Sequence, residues 1–360
     1  MNKNIRSVII GTGCYIPTII ITNDDFLDND FLDNDGNVIE KPNDEIIKDF
    51  KKITGITERR YAPYDLVTSD IATYAAEDAF NSSKVDRESL DYIIVAHNFG
   101  DTRLHARQGG LVPSLASRIK QKLGIKNPLT IPYDLPFGCP GWLQGMIQAD
   151  YFLKSGDAKR AMVIGAETLS RVLDNHDRDS MLYADGAGAT ILEGSTNHSS
   201  AGIMAHSTIA DTFAHAYLLR MDKSYNREYN GAKLFLKMDG HKVYEYALSS
   251  VPKVVMDSLN KAGVLLSDVK KVLIHQANEK MDRAILKNLY KLYGQKKVPH
   301  DVMPMTISWL GNSSVATLPT LLDLWLKGKL KDHEWQSGDI VVFASIGAGM
   351  NANSLVYKLE

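Results

Sequence analysis

The ten residues Tyr133-Asp-Leu-Pro-Phe-Gly-Cys-Pro-Gly-Trp142 join an extended segment to a helix-like stretch that runs to Leu153. Cys139 is thereby placed in a sharp turn at a helix start, and Pro140 fits the first helical turn because its missing N–H costs nothing there. The unsatisfied N–H groups of a helix N-terminus favour the thiolate form of cysteine. A nucleophile on a tight strand-to-helix turn is also the arrangement of the hydrolase elbow. Cys139 is therefore predicted to be a nucleophile rather than a small buried hydrophobe.

Short β-branched runs alternate with amphipathic stretches on both sides of this turn. The predicted strands are residues 5–11, 92–96, 161–164, 189–192, 272–275 and 340–344, the first of which ends at a turn over residues 11–13. The predicted helices are residues 70–82, 110–123, 140–153, 243–262, 278–293 and 316–327. Strands that alternate with helices of this length predict an α/β protein with parallel or mixed sheets covered on both faces.

The chain is predicted to divide into two halves, residues 1–194 and 195–360. Each half has the order strand, long helix, strand, helix and closing strand pair, and the polar stretch Ser195-Thr-Asn-His-Ser-Ser200 links them. This prediction depends on the order of the elements and not on a measured sequence repeat.

Composition excludes several classes of protein. The 360 residues carry 41 Lys and Arg against 43 Asp and Glu, so nothing indicates a nucleic-acid partner. The two cysteines cannot form a disulfide framework or a four-ligand zinc site. No window holds the 18 or more apolar residues of a membrane span, and the start has no signal-peptide core, so we expect a cytoplasmic protein without membrane insertion.

An acidic segment, residues 24–37, contains Phe-Leu-Asp-Asn-Asp twice in tandem and ends near Gly36. A calcium loop with that glycine at position six would place Phe31 at position one and Pro42 at position twelve, where Asp and Glu belong. The calcium interpretation therefore fails, and the segment is predicted to be a surface hairpin or lid that turns at Asp35-Gly36.

Other segments have both a structural and a functional interpretation. Cys14 is followed by no helix start and is predicted to pack. His275 ends a predicted strand, where active sites of α/β proteins collect, but a structural histidine is equally compatible. Asn312 opens a helix and by itself favours an N-cap. Ser345-Ile-Gly-Ala-Gly349 suits backbone N–H groups directed at an oxyanion, whereas Asp185-Gly-Ala-Gly188 is predicted to be a tight turn.

Together these motifs resemble the ketosynthase branch of the thiolase superfamily, and most closely β-ketoacyl-acyl-carrier-protein synthase III. The segments that carry the resemblance span nearly the whole chain. They are Gly11-Thr-Gly-Cys-Tyr-Ile-Pro17, Thr54-Gly-Ile-Thr-Glu-Arg59, Thr68-Ser-Asp-Ile-Ala72, the Cys139 turn, Tyr183-Ala-Asp-Gly-Ala-Gly188, His275-Gln-Ala-Asn278 and Gly311-Asn-Ser-Ser314.

The resemblance implies a five-layered αβαβα fold of two related halves and a homodimer. It also implies a Cys-His-Asn triad of Cys139, His275 and Asn312, with no metal or cofactor. Cys139 would attack an acyl thioester while the N–H groups of Cys139 and Ala348 hold the oxyanion. A malonyl thioester would then lose CO₂, with His275 and Asn312 donating hydrogen bonds to the enolate oxygen, and its carbanion would attack the acyl-cysteine.

Two residues narrow the choice within the superfamily. Degradative thiolases carry a second cysteine where this chain has Ser345, and chain-elongating ketosynthases generally use two histidines where this chain has His275 and Asn312. The resemblance therefore implies the synthase III type, which acts on coenzyme A or acyl-carrier-protein thioesters.

Departures from the family pattern indicate a specialised substrate. Ile46 stands where the housekeeping enzymes have a tryptophan that stacks on adenine, and Lys280 replaces an arginine that docks the acidic carrier protein. The stretch Asn98-Phe-Gly-Asp-Thr-Arg-Leu-His105 and the tandem insertion are expected to reshape the mouth of the acyl tunnel. We expect a longer or aryl primer in lipid or polyketide synthesis.

Two other functions stay open at this point. One is a non-decarboxylating acyltransferase or an enzyme of the 3-hydroxy-3-methylglutaryl-coenzyme A synthase type, which needs a carboxylate such as Glu77, Glu167 or Glu279. The other is a non-catalytic partner subunit, although such subunits typically lose the nucleophile.

Overall fold

The structure, a computed structural model, describes residues 5–104, 106, 108–196 and 201–360. Its strands are β1 Arg6–Tyr15, β2 Ile19–Thr22, β3 Glu58–Tyr61, β4 Tyr92–Ala96, β5 Ile131–Leu135, β6 Arg160–Thr168, β7 Asp185–Ser195, β8 Gly202–Ala210, β9 Leu219–Asp222, β10 Phe235–Met238, β11 Val269–Ile274, β12 Ile340–Gly347 and β13 Asn351–Lys358. Its α-helices are α1 Asn43–Thr54, α2 Thr68–Ser83, α3 Leu115–Lys122, α4 Gly141–Ser155, α5 Thr212–His215, α6 Gly240–Ala262, α7 Glu279–Leu292, α8 Ile307–Leu310 and α9 Thr317–Leu326. His105, at the end of the stretch expected to shape the tunnel mouth, and residues 197–200 of the polar link lie outside the described residues.

Two mixed sheets organise the chain. The first has the order β1-β7-β6-β4-β5, in which β4 runs parallel to β5 and β6 while β7 is antiparallel to its two neighbours. The second has the order β11-β12-β13-β8, with only β11 and β12 parallel. The first sheet takes its strands from before the polar link and the second from after it. The predicted division at residues 194 and 195 stays a prediction, which this segregation supports.

Helices cover both faces of both sheets. In the middle layer, α4 and α9 contribute Trp142 and Trp325 to a core that also holds Val163 of the first sheet and Phe343 of the second. The outer face of the first sheet packs on α2 and α3, and that of the second on α6 and α7. The predicted αβαβα order is therefore confirmed. Sheets buried on both faces explain why the strand sequences are nearly continuous apolar runs.

Two predicted turns are wrong, because their glycines lie inside strands. β1 continues past Gly11 to Tyr15, and residues 185–188 belong to β7. A Cβ atom at Gly13 would lie 2.3 Å from the backbone nitrogen of Ala79 in α2, and one at Gly188 would lie 2.8 Å from that of Thr320 in α9. The glycines therefore allow helices to pack directly on the strand backbone and do not reverse the chain.

The predicted helices agree with the structure to within a few residues, except that residues 110–114 are not helical. There the helix begins only at Leu115, where the side chain of Ser114 accepts a hydrogen bond from the N–H of Ser117 and caps it. Within the described ranges, no helix combines the length and the hydropathy needed to cross a bilayer.

The tandem acidic segment forms the predicted surface turn. Leu32 and Val38 form an antiparallel bridge, and a carboxylate oxygen of Asp33 accepts hydrogen bonds from the N–H groups of residues 35 and 37, both at 2.9 Å. Phe26 of the first copy and Phe31 of the second are both buried in one small cluster. Each copy of the repeat thus contributes one aromatic anchor.

Candidate active site

The Cys139 turn touches a second turn from the other half of the chain. Gly138 has a φ of +66°, and a Cβ atom there would lie 2.7 Å from the backbone nitrogen of Ala348. A Cβ atom at Gly347 would lie 2.4 Å from the backbone nitrogen of Cys139. Only glycine allows this approach, which brings the N–H groups of Cys139 and Ala348 close together. That proximity supports the predicted oxyanion hole.

Cys139 is partly exposed as a residue but its sulfur is buried, and the hydroxyl of Ser314 donates a hydrogen bond to Sγ at 3.2 Å. Burial raises the pKa of the Cys139 thiol to about 11; the Ser314 hydrogen bond lowers it, and the charge of Glu167 raises it. Burial favours the thiol over the thiolate in the free enzyme, and the opposing effect expected of the helix N-terminus stays a prediction.

His275 follows β11 directly, and its side chain is 3 % exposed. Nδ1 lies 2.6 Å from the hydroxyl of Thr317, which is also 3.0 Å from the carbonyl oxygen of Ser314. Because a carbonyl oxygen can only accept, the hydroxyl donates to Ser314, and Nδ1–H then donates to the hydroxyl oxygen. When the hydroxyl turns its single proton to Nδ1 instead, the ring proton is on Nε2, and only this tautomer can donate from Nε2. Burial lowers the pKa of His275 to about 4, so the ring is neutral at neutral pH.

Asn312 is held by its backbone and by one side-chain atom. Its N–H donates to Leu182 at 3.0 Å, and its carbonyl accepts from Ala184 at 2.9 Å. The side-chain oxygen accepts from the N–H of Ser314 at 2.9 Å, the cap-like contact that the sequence favoured. The amide NH₂ group is therefore the part of Asn312 that can donate to a substrate.

Cys139, His275 and Asn312 line the same small inner cavity, of about 60 Å³. An outer cavity of about 520 Å³ shares Leu182, Met238 and Asn278 with it, so the two cavities are adjacent, and together they are called the open path. A third, mainly apolar cavity of about 160 Å³ also reaches Cys139. Cys139 therefore stands where an open path and an apolar pocket meet.

The walls of these cavities include several predicted residues. Asn98 and Phe99, from the stretch expected to shape the tunnel, line the apolar pocket. Lys280 is exposed on α7 and lines the outer cavity together with Arg178. Ile46 is 5 % exposed because it packs in the cluster of the tandem segment.

Cys14 lies in none of the cavities that contain Cys139. Its thiol and the carboxylates of Asp78 and Asp323 lie within 4.8 Å of one another, which is the spacing of a metal site. The ammonium group of Lys327 already pairs with both carboxylates, at 2.6 and 2.9 Å. Burial, followed by the nearby Asp323, raises the pKa of the Cys14 thiol. These contacts support the predicted packing role.

Sequence reasoning missed three contacts around the triad. They are the hydroxyl of Ser314 on the sulfur, the hydroxyl of Thr317 on the imidazole, and the contact of Glu167 with Asn98 behind the site; Glu167 itself was named only as a candidate carboxylate for another reaction. Ser314 stood in a quoted motif, but nothing in the sequence indicated its side-chain direction. Glu167 follows a predicted strand and is fully buried, where it accepts hydrogen bonds at 2.6 Å from the backbone and side-chain nitrogens of Asn98.

Comparisons with known proteins place this geometry in a family. The family model for 3-oxoacyl-[acyl-carrier-protein] synthase III matches residues 133–212, and the model for the C-terminal part of that family matches residues 259–359. The β-ketoacyl-[acyl-carrier-protein] synthase III of Ehrlichia canis is 32% identical over 98% of this chain and 99% of its own length. The chain belongs to the β-ketoacyl-[acyl-carrier-protein] synthase III family. Members of this synthase III family are acyltransferases, as the sequence predicted.

Other relatives agree with this assignment. The synthase III of Ehrlichia ruminantium is 32% identical over 96% of this chain and 97% of its own. The crystal structure of 3-oxoacyl-[acyl-carrier-protein] synthase III from Aquifex aeolicus superposes with a TM-score of 0.78 and 28% identity, and covers 98% of this chain and 99% of that one. The priming β-ketosynthase of the R1128 polyketide pathway, at 24% identity and a TM-score of 0.79, shares the fold over 98% of this chain and 96% of its own.

The neutral His275 predicts a pH-dependent stability. Because the pKa of His275 is lower in the folded protein, the unfolded chain takes up the proton first as the pH falls below about 6.5. The contribution of His275 to the free energy of unfolding is therefore complete above that pH and is lost as the pH falls toward about 4. Between pH 7.5 and pH 5 this group should cost about 2 kcal/mol. Urea unfolding gives the free energy of unfolding of the wild type and of His275→Gln at both pH values. The effect of His275 is the change, between the two pH values, in the difference between these two free energies. An unchanged difference would show that His275 titrates normally in the folded protein.

Proposed function

We propose that this protein catalyses the decarboxylative condensation of an acyl thioester primer with a malonyl or related β-keto thioester. The observation that carries the proposal is that Cys139, His275 and Asn312 line one cavity, which ends at the thiol between an open path and an apolar pocket. Two substrates can then meet at one sulfur: a chain stored in the pocket and a thioester that arrives along the path. The product is a β-ketoacyl thioester for fatty acid, specialised lipid or polyketide synthesis.

In the first step, Sγ of Cys139 attacks the carbonyl carbon of the primer. The N–H groups of Cys139 and Ala348 receive the negative oxygen of the tetrahedral intermediate. The bond to the carrier sulfur breaks, and the proton of the cysteine leaves with the released carrier thiol. The acyl chain remains on Cys139 and occupies the apolar pocket.

In the second step, the malonyl thioester binds along the open path, with its thioester oxygen at His275 and Asn312. We propose that the donors are the NH₂ group of Asn312 and the Nε2–H of His275, the latter in the tautomer whose Nδ1 accepts from Thr317. Loss of CO₂ places negative charge on that oxygen, which both hydrogen bonds stabilise, and the enolate carbon attacks the acyl carbon on Cys139. Because these steps use backbone and side-chain donors alone, the proposed reaction needs no cofactor.

A condensation of the 3-hydroxy-3-methylglutaryl type fits the site less well. It needs a carboxylate in contact with the reacting carbon, and Glu77 and Glu279 pair instead with Arg87 and Arg283. Glu167 lies nearest to Cys139, but it lines neither the inner cavity nor the apolar pocket. A non-catalytic role is less favoured because Cys139, His275 and Asn312 are all present and line one cavity.

The apolar pocket beside Cys139 favours an apolar primer. Its wall includes Phe99, Leu169, Leu219, Met221 and Leu236. The pocket has a volume of about 160 Å³, and the residues of its wall are mostly apolar. We therefore propose a short to medium apolar acyl chain, rather than the two-carbon acetyl group of a housekeeping enzyme.

The carrier is proposed to dock where the path opens. Lys280, at the second position of α7, lines the outer cavity with Lys41 and Arg178 and also with Asp49 and Asp179, of which Asp49 pairs with Lys41. We propose that Lys280 and Arg178 attract the phosphates of coenzyme A or an acidic acyl carrier protein. Reaction with these thioesters agrees with the proposed cytoplasmic location.

The proposed homodimer would form at the free edge of the first sheet. β5 is the edge strand, and Leu129 and Ile131 beside it are 77 % and 46 % exposed. Exposed apolar residues on an edge strand favour pairing with another chain, and two identical edges can pair around a two-fold axis. Pro132 removes one backbone donor, so side-chain packing is expected to carry much of the contact.

The chemistry is tested with a panel of acyl-coenzyme A and acyl-carrier primers and carboxyl-labelled malonyl thioester. Intact-mass measurement should show an acyl adduct on the wild type and none on Cys139→Ala, and labelled CO₂ should be released. An adduct that survives on Cys139→Ala would refute the nucleophile. The absence of CO₂ release with every primer would refute the decarboxylative reaction.

Charge reversal at Lys280 tests carrier docking. Lys280→Glu should raise the KM for carrier-protein substrate several-fold, with kcat little changed and the effect smaller at high salt, because the contact is electrostatic. Lys253→Glu is the control. The helix α6 begins at the outer cavity with Gly240, and Lys253 lies thirteen residues, or about 20 Å, further along it, away from the cavity. Equal effects of the two variants would show a general charge effect and no docking role.

A single charge on the free edge tests the dimer. Ile131→Lys should shift the protein from dimer to monomer in size-exclusion chromatography with light scattering, because the charge would be buried in the contact. Ile20→Lys is a matched control, since Ile20 is similarly exposed, at 49 %, on the separate β2–β3 sheet. A monomeric wild type, or an unaltered dimer in Ile131→Lys, would contradict the proposed interface.

A further inference from the structure

Ser314 adopts an unusual backbone conformation beside the reacting sulfur. Its φ is +52°, in the left-handed region that serine seldom occupies, and it is 4 % exposed. It follows Asn312 by two residues in the Gly311-Asn-Ser-Ser314 motif. Glycine would adopt this backbone without strain, so the presence of a serine calls attention to its hydroxyl.

That hydroxyl is fixed between two partners. It accepts a hydrogen bond from the side-chain nitrogen of Asn98 at 3.3 Å and donates its own proton to Sγ of Cys139 at 3.2 Å. The backbone N–H of Ser314 is separately bound to the side-chain oxygen of Asn312 at 2.9 Å. The side chain thus contacts the nucleophile, while the backbone orients the enolate donor.

We propose that Ser314 is a fourth catalytic residue, whose hydroxyl donates a hydrogen bond to Sγ of Cys139 and stabilises the thiolate as it forms and as it leaves. A hydrogen bond to a charged sulfur is stronger than one to a neutral thiol, so the contact gains strength when the proton departs. It offsets part of the desolvation that otherwise keeps the sulfur protonated. The proposal extends the acyl transfer described above and rests on it for the substrate.

The thiolate occurs at two points of the reaction. During acylation the sulfur uses a lone pair to form the bond to the acyl carbon, and the carrier sulfur departs with the bonding pair and takes up a proton. During condensation the enolate carbon forms the new carbon–carbon bond, and the sulfur of Cys139 leaves with the pair of the broken thioester bond and then takes up a proton from water. The Ser314 hydroxyl faces the same sulfur in both steps. Decarboxylation of the malonyl group breaks no bond to that sulfur.

Glu167 affects the pKa of the Cys139 thiol in the direction opposite to Ser314. Its carboxylate accepts from Asn98, the residue that also donates to the Ser314 hydroxyl. Its negative charge raises the pKa of the Cys139 thiol, and its own pKa is raised to about 7 by burial. Ser314 and Glu167 are therefore expected to shift the reactivity of the sulfur in opposite directions.

The test is the pH dependence of iodoacetamide alkylation, followed by mass spectrometry on the peptide that contains Cys139. Ser314→Ala should be alkylated about 10- to 100-fold more slowly than wild type at pH 8 to 9, the factor expected for one lost hydrogen bond to a charged group. Glu167→Gln, which keeps the acceptor oxygen, should be alkylated faster. Ser313→Ala is the matched control, because it is the adjacent serine and is also buried, at 7 %.

A second measurement separates the catalytic role from a structural one. In Ser314→Ala, the rate of acylation should fall by the same factor as alkylation, while decarboxylation of a malonyl thioester without primer should keep its wild-type rate. Ser314→Gly relieves the left-handed strain and also lacks the hydroxyl, so it should unfold no more readily than wild type yet be alkylated as slowly as Ser314→Ala.

Two results would overturn the proposal. One is a Ser314→Ala profile that coincides with wild type, and the other is an equal slowing in Ser313→Ala. Alkylation requires no thioester, so its outcome is independent of the proposed condensation. Slow alkylation of Ser314→Ala alongside a wild type that condenses nothing would support the role of Ser314 at the sulfur and refute the proposed function.

Discussion

Two turns, one from each half of the chain, meet at the backbone of Cys139, and the rest of the site depends on that contact. Gly138 and Gly347 have no Cβ atoms, so the backbone nitrogens of Cys139 and Ala348 can lie close together. The two sheets and the shared layer of α4 and α9 hold the turns in this relation. A larger side chain at either glycine would push the two turns apart. It would thereby separate the N–H of Ala348 from Cys139 and disrupt the oxyanion hole.

Burial determines the protonation of the site. It keeps His275 neutral, which suits a donor of one hydrogen bond to an enolate, but it also keeps the thiol of Cys139 protonated. The same low-polarity environment therefore favours the second step and opposes the first. A specific donor at the sulfur resolves this conflict, because it acts on the thiolate and leaves the imidazole unaffected.

Local patterns were sufficient for the alternating strands and helices and for Cys139 as a candidate nucleophile, whereas the five layers and the roles of His275 and Asn312 were implied by the resemblance to a known family. Continuous apolar runs indicated buried strands, and a glycine–proline turn before a helix indicated the nucleophile. The glycines of β1 and β7 were wrongly predicted to form turns. They leave room for a helix to pack on the strand, and in a sequence such a glycine cannot be told from one that forms a turn. The contacts of Ser314 and Thr317 depend on backbone direction and on partners far along the chain, about which a single sequence carries no signal.

In the proposed reaction, the apolar pocket adjoins the sulfur that accepts the primer, so its size would limit the length of the primer. The pocket is measured from the atom that forms the covalent bond, so a chain too long for it cannot bring its carbonyl to Cys139 at all. Selection therefore falls on the loading of the enzyme and precedes any use of malonyl thioester. An unsuitable primer would consume no extender and leave no stalled intermediate, and the length of the starter would be settled before the first carbon–carbon bond is made.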